Sequence, residues 1–163
     1  MEECSVLIET TKSAEDKTSR WFDLPIDYEL FRDLFGVEAD SGDYQIIDMK
    51  LPFAGDIVRT TSVRRLNKLY FAYMELPPEV QQAYNDLISY CGGVEDLLQK
   101  SEEFRFYPEC HNIMDVARYR LEHNIQSSAL SEKGKKYFNL EAYAQELEET
   151  GRYVVSENGM FKL

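Results

Sequence analysis

Cys110 stands beside His111, and His111 lies one helical turn before Asp115; in type and spacing these residues come nearest to chemistry. A cysteine with a histidine base makes a thiol nucleophile. Adjacent residues seldom face each other, however, and catalytic pairs are assembled from separate parts of a fold, so Cys110 and His111 read as a loop pair. His111 and Asp115 could share a metal, but the sequence offers no second pair of ligands, and the simpler expectation is a hydrogen bond near a helix start. His123 reads as a cation at a helix end. The chain has no G-x-G-x-x-G, P-loop, C-x-x-C, H-E-x-x-H or G-x-S-x-G, the patterns that would support nucleotide, zinc or acyl-transfer chemistry. An acid and base pair can be drawn from any abundant carboxylates, and with 30 Asp and Glu to choose from it carries no specificity. The expectation is a protein that is not an enzyme, with no metal and no cofactor.

Basic residues cluster at Arg64, Arg65 and Lys68 and again at Lys133, Lys135 and Lys136. The first cluster could face DNA, because two helices with a short link resemble a helix-turn-helix. Against this stand the link itself, ELPP, and the placement of the cations beside a core stripe, which points to salt bridges and snorkelling side chains. The charge also opposes it: 18 Lys and Arg against 30 acids give a formal net of −12. Nucleic acid and anionic lipid are polyanions held by Lys and Arg, so a basic partner is favoured instead.

The acid is spread through the chain among nine Phe, eleven Tyr and one Trp, so it belongs to a sequence that can fold rather than to an acidic tail. Such a surface can serve solubility alone. It can also imitate DNA, whose duplex carries a charge about every 1.7 Å of axis. Carboxylates on successive helix turns or alternate strand residues lie about 5 to 7 Å apart, close to the phosphate spacing.

These side chains must be positioned by a chain of 163 residues, enough for one domain or a few small ones. The β-branched and apolar content of CSVLIET predicts a strand, and TSRWFDL and YQIIDMK read as a second and a third. Between the second and third, Asp27 caps a helix with Leu30, Phe31 and Leu34 on its inner face, and Gly36 ends it. Ser62 caps a helix with Val63, Leu66, Leu69, Tyr70 and Tyr73 inward. Pro77 and Pro78 begin another, in which Val80, Ala83, Tyr84, Leu87, Ile88 and Cys91 form a stripe that stops at Gly92 and Gly93. VEDLLQK is a short helix and FRFY a strand. Asn112 caps IMDVARYRLEH, NIQSSALSEKGKK is a polar stretch, and Asn139 caps LEAYAQELEET, with Leu140, Tyr143, Ala144 and Leu147 inward and Gly151 as its C′ residue. RYVVSENGMFKL predicts a hairpin in which Asn158 and Gly159 supply the positive φ of a type I′ turn.

The expected class is α+β, with three small domains in series: 1–58 with a sheet and short helix, 59–102 helical, and 103–163 α+β. Residues 1–60 hold fourteen acids against six bases, whereas 61–100 hold five against four and the remainder eleven against eight. Cys4, Cys91 and Cys110 are widely spaced and odd in number, which fits reduced thiols. No run approaches the roughly 18 apolar residues of a membrane span and the start lacks the pattern of a signal peptide, so the expected compartment is the cytoplasm.

WFDLPIDYELFRDLFG, YQIIDMKLPF, RLNKLYFAYMELPPEVQQAY, MDVARYRLEH and YFNLEAYAQELEETGRYVVSENGMF resemble, in order and spacing, the ArdA family of antirestriction proteins. The resemblance covers most of the chain, with W-F-D-L-P-I-D and M-D-V-A-R-Y its most specific segments. It implies an elongated, acidic, three-domain protein of conjugative elements, plasmids and phages. Such a protein forms a homodimer through its C-terminal domain, mimics bent B-form DNA and blocks type I restriction-modification enzymes. Three places depart from the family pattern: KSAEDKTSR before Trp21 has no glycine, Gln145 and Glu146 stand where Arg followed by Asp is common, and Asn139 stands where Asp is common. These departures bear on which enzyme is inhibited.

The acids expected to stand in for phosphates are Asp27, Glu29, Asp33, Glu38, Asp40, Asp43, Asp48 and Asp56 in the first segment, Glu75, Glu79, Asp86, Glu95 and Asp96 in the second, and Glu141, Glu148 and Glu149 in the third. The expected partner is a type I restriction-modification complex, with neither nucleic acid nor membrane bound. The alternative is an acidic adaptor or regulatory protein for another basic partner, such as a CRISPR effector or other host-defence nuclease.

Overall fold

Val6, Ile8 and Thr10 alternate with Leu7 and Glu9, and in the computed structural model, which describes residues 4–11, 18–123 and 139–163, Ser5–Thr10 is strand β1 with Val6, Ile8 and Thr10 buried. It is the centre of a three-stranded antiparallel sheet, flanked by β2 (Ser19–Asp23) and β3 (Tyr44–Lys50). On β3, Ile46 pairs with Ile8 but Asp48 pairs with Leu7, so Ile47 is an extra residue in a bulge. The expected strands are all present.

Between β2 and β3 lies helix α1 (Tyr28–Phe35), whose first turn is capped by Asp27 and whose end is Gly36 at φ 67°, as its sequence predicts. The expected inner face needs correction. Phe31 is fully buried, but Leu30 and Leu34 are 52% and 38% exposed. The core partners are aromatic: the Phe31 ring packs on Phe22, Phe35 and Tyr44 with centroids 5.0 to 5.5 Å apart, and Phe35 also meets Phe22 at 5.2 Å. Rings at i and i+4 bury more area than the leucines beside them, and they set the rotation of α1.

Ser62 caps α2 (Val63–Glu75), which buries Val63, Leu66, Leu69 and Tyr73, while Tyr70 is only partly buried. Asn67, a polar residue on that same buried face, exchanges two 2.8 Å bonds with the backbone of Ile26: its Oδ1 accepts from the N–H and its Nδ2 donates to the carbonyl. Tyr44 makes a second long-range tie, since its hydroxyl accepts from Val63 N at 2.9 Å and donates to the carbonyl of Ala39. Burial pushes the Tyr44 phenol up.

The helix expected from Pro78 to Cys91 is broken. Its apolar stripe is buried at Val80, Ala83, Tyr84 and Leu87, but it is carried by α3 (Pro78–Gln82), α4 (Tyr84–Leu87) and a 3₁₀ turn at Ile88–Tyr90, with Ala83 at φ −100° and ψ 17° between the helices. The two ends pack in different units. By contacts, the described residues of 1–76 and 88–99 form one unit and those of 77–87 and 100–163 a second. Periodicity detects a buried stripe, not whether one rod carries all of it. Helix α5 (Val94–Ser101) follows.

In the second unit β4 (Arg105–Pro108), β5 (Tyr153–Ser156) and β6 (Gly159–Lys162) form an antiparallel sheet in the order β4-β6-β5. Helices α6 (Ile113–His123) and α7 (Leu140–Thr150) share a core of Tyr107, Cys110, Val116, Ala117, Ala144, Leu147 and Met160, with Leu140 and Tyr143 packed against it. Asn112 and Asn139 accept from Asp115 N and Ala142 N as expected. Gly151 differs: it is extended at φ −147° rather than left-handed. The hairpin turn is Glu157–Asn158, and neither residue has positive φ, so it is not a type I′ turn. Gly159 does have the expected positive φ, at 157°, and a second reason requires it: a Cβ there would sit 2.4 Å from the Tyr107 carbonyl on neighbouring β4. The polar stretch 124–136, with Lys133, Lys135 and Lys136, and most of the loop before Trp21 lie outside the described residues.

Candidate functional site

The acids divide by what their oxygens already hold. Asp27 accepts from Glu29 N at 2.9 Å and Leu30 N at 3.2 Å, and Asp48 accepts from Met49 N at 2.8 Å, yet both stay exposed. Asp56 and Asp96 are half-buried and work inside the fold. Asp56 accepts from Val94 N at 2.7 Å, capping α5 from a distant 3₁₀ turn at Ala54–Asp56, and Asp96 reaches back to Gly92 N at 2.8 Å. These two do not face outward as the sequence suggests. With Gly55, Arg65, Gly92 and Val94 they line a concavity of 260 Å³ whose Val94 and Gly92 donors are already engaged by carboxylates.

A second group is paired with cations. Arg64 bonds Asp40, Arg65 bonds Glu95, Lys68 lies 3.8 Å from Glu95, and Arg32 lies 3.9 Å from Glu38. The Arg64 guanidinium holds the Asp40 carboxyl below the usual carboxylate range, chiefly through their hydrogen bond. Arg64 also lies 5.0 Å above the Tyr28 ring. The basic cluster on α2 is therefore occupied by acids, as its position beside a core stripe predicts.

The third group is free. Glu29 and Asp33 on α1, Asp43 before β3, Glu75 at the end of α2, Asp86 in α4, and Glu141 and Glu148 on α7 are exposed, and among the described residues nothing engages their carboxylates. Glu149 is exposed and accepts from Gln145 at 3.3 Å, and Glu79 is half-buried. Sequence reasoning missed Asp23, Glu102, Glu103, Glu109, Glu122, Glu146 and Glu157, which are exposed too. For Asp23 the signal was available, since it adjoins the buried Phe22 on β2 and successive strand residues face opposite sides.

The residues nearest to chemistry serve structure. Cys110 is buried, and burial pushes its thiol up, away from the thiolate a nucleophile needs. Asp115 accepts from His111 N at 3.0 Å and lies 3.2 Å from Arg118, the hydrogen bond expected near a helix start. His123 has Nδ1 2.8 Å from the Tyr119 carbonyl and stacks on the Tyr119 ring at 4.2 Å. Among the described residues no group of three or more His, Cys, Asp or Glu could hold a metal, and no helix is long and apolar enough to cross a membrane.

The family model for antirestriction protein (ArdA) matches residues 16–162. The chain belongs to the ArdA family. A comparison with the curated proteins finds no match. ArdA membership implies an antirestriction function, and so a restriction-modification enzyme as the kind of partner. In this ArdA chain the match spans both compact units and includes every acid of the free group.

Proposed function

We propose that the chain is a non-catalytic DNA mimic that occupies the DNA-binding groove of type I restriction-modification enzymes. The observation that supports this most is the free group of carboxylates, held on helices and at a strand edge with no cation among the described residues to neutralise them. Ordered carboxylates gain from a Lys- and Arg-lined groove what a phosphate gains, counterion release and steering, without the entropy cost of ordering a tail. Within the expected set, Glu29, Asp33, Asp43, Glu75, Asp86, Glu141 and Glu148 make direct contacts. Asp27, Glu38, Asp40, Asp48, Glu79, Glu95 and Glu149 add to the field, and Asp56 and Asp96 serve mainly to build it. The segments 1–58, 59–102 and 103–163 are proposed as successive stretches of this surface, with the last pairing two copies into a homodimer. The setting is the cytoplasm of a cell that has received a mobile genetic element.

The test is competition: the protein is titrated into a purified type I restriction-modification enzyme on labelled duplex DNA at two salt concentrations. DNA should be displaced at low salt and much less at high salt, because affinity is summed over screened charges each contributing about 0 to 1 kcal/mol. Absence of displacement at low salt refutes the reading for this enzyme class. Loss of all activity from one neutralised surface acid, with the fold intact, would replace mimicry by a single docking site.

A further inference from the structure

The two leucines that α1 does not bury are four residues apart, so they form one stripe along its outer side, with Leu30 52% and Leu34 38% exposed. The core side of the same helix is taken by Phe31 and Phe35. At about 100° per residue the stripe next to the leucines carries Glu29 and Asp33, whose carboxylates are free among the described residues. Single exposed apolar residues are ordinary on protein surfaces. An apolar stripe alongside an unneutralised acidic one, on a single eight-residue helix, is a surface of defined chemistry.

The charge beside the stripe indicates what covers it. A second copy meeting this face about a twofold axis would bring the free acids of one helix toward those of the other, and like charges brought together oppose association. An anionic lipid surface or nucleic acid is repelled in the same way. A protein surface where Lys or Arg borders an apolar side chain complements both stripes. We propose that Leu30 and Leu34 are an apolar anchor that seats the protein on its target enzyme, within the Lys- and Arg-lined groove, while Glu29 and Asp33 pair with the cations beside it. This inference rests on the DNA-groove reading above. DNA has no aliphatic side chains of this kind, so the anchor gives the protein a salt-resistant contribution to binding that comes from dehydrating apolar surface.

The experiment is the competition assay with a purified type I restriction-modification enzyme on labelled duplex, run over a series of salt concentrations with wild type, the double variant Leu30→Ser/Leu34→Ser, and Leu30→Glu. Circular dichroism melts and sedimentation accompany each protein. The double variant should displace DNA at least about tenfold more weakly at every salt concentration, with the slope of log affinity against log salt unchanged. Leu30→Glu should also weaken binding although it adds an acid. A double variant within twofold of wild type, or a Leu30→Glu protein that binds more tightly, overturns the anchor and leaves a face that acts by charge alone. A wild-type dimer that falls apart in the double variant also overturns it, by assigning the stripe to self-association. The anchor fails by itself when wild type displaces DNA and the variants match it; wild type that displaces nothing overturns the groove reading and the anchor together.

Discussion

Within the first unit, α1 and the surface around the start of α2 carry the same residue types in opposite states. On α1 the Glu29 and Asp33 carboxylates are exposed and engaged by nothing among the described residues, whereas Asp40 and Glu95 are engaged by Arg64, Arg65 and Lys68, and Asp56 caps α5. Formal charge does not distinguish them. An acid that already holds a cation or a backbone N–H must give up that partner before meeting another, so only the free acids can add contacts to a target. The tied acids hold the elements that support the free ones.

The comparison is broken most severely by removing the platform under α1. Asn67→Ala leaves the N–H and carbonyl of Ile26, just before the cap of α1, buried and unpaired. Urea unfolding should show a loss of about 2–4 kcal/mol. Asp56→Ala comes next. It removes the cap from α5 and should lose about 1–2 kcal/mol, while Asp33→Ala changes stability by no more than about 0.5 kcal/mol. Equal effects of the two would erase the distinction between tied and free acids.

Binding kinetics sharpen the comparison further. Glu29→Gln/Asp33→Asn and Glu38→Gln/Asp40→Asn each remove two negative charges. Association with an immobilised type I restriction-modification enzyme should therefore slow alike in both, because steering follows the overall field. Dissociation should quicken roughly fivefold in the first pair alone, since only free carboxylates form new contacts. The same change in both pairs would mean that Arg32 and Arg64 release their acids on binding.

The smallest effect is the response of Asp40 to acid. Its folded pKa is lowered, so the pair with Arg64 stabilises the fold at pH above the ordinary carboxylate range, and that contribution is lost as pH falls through the folded value. Melting curves of wild type and Asp40→Asn should differ by a small constant amount from neutral pH down to the ordinary carboxylate range and converge below it. A gap that widens in acid contradicts the pairing.

Capping was legible because it is local: Asp27, Ser62, Asn112 and Asn139 each satisfy a donor two or three residues ahead, and the sequence contains the whole interaction. The exposure of Leu30 and Leu34 was not legible, because a period of about 3.6 shows that apolar residues share a side without showing which of two sides meets the core. The broken helix after Pro77 was hidden for a similar reason, since one stripe can be carried by several short pieces. Glycine chemistry was read correctly at Gly36 and Gly159, where φ is positive, but a local reading could not show that the strand beside Gly159 also leaves no room for a side chain.

The sequence by itself determined the α+β class, the strands of the first sheet, the caps, the excess of acid and the family, because each of these is written in local pattern or in the order of segments along the chain. Only the tertiary structure decided which acids are free. Asp40 meets a cation 24 residues away and Asp56 a backbone N–H 38 residues away, and whether a carboxylate keeps its charge for a partner depends on what the fold places beside it.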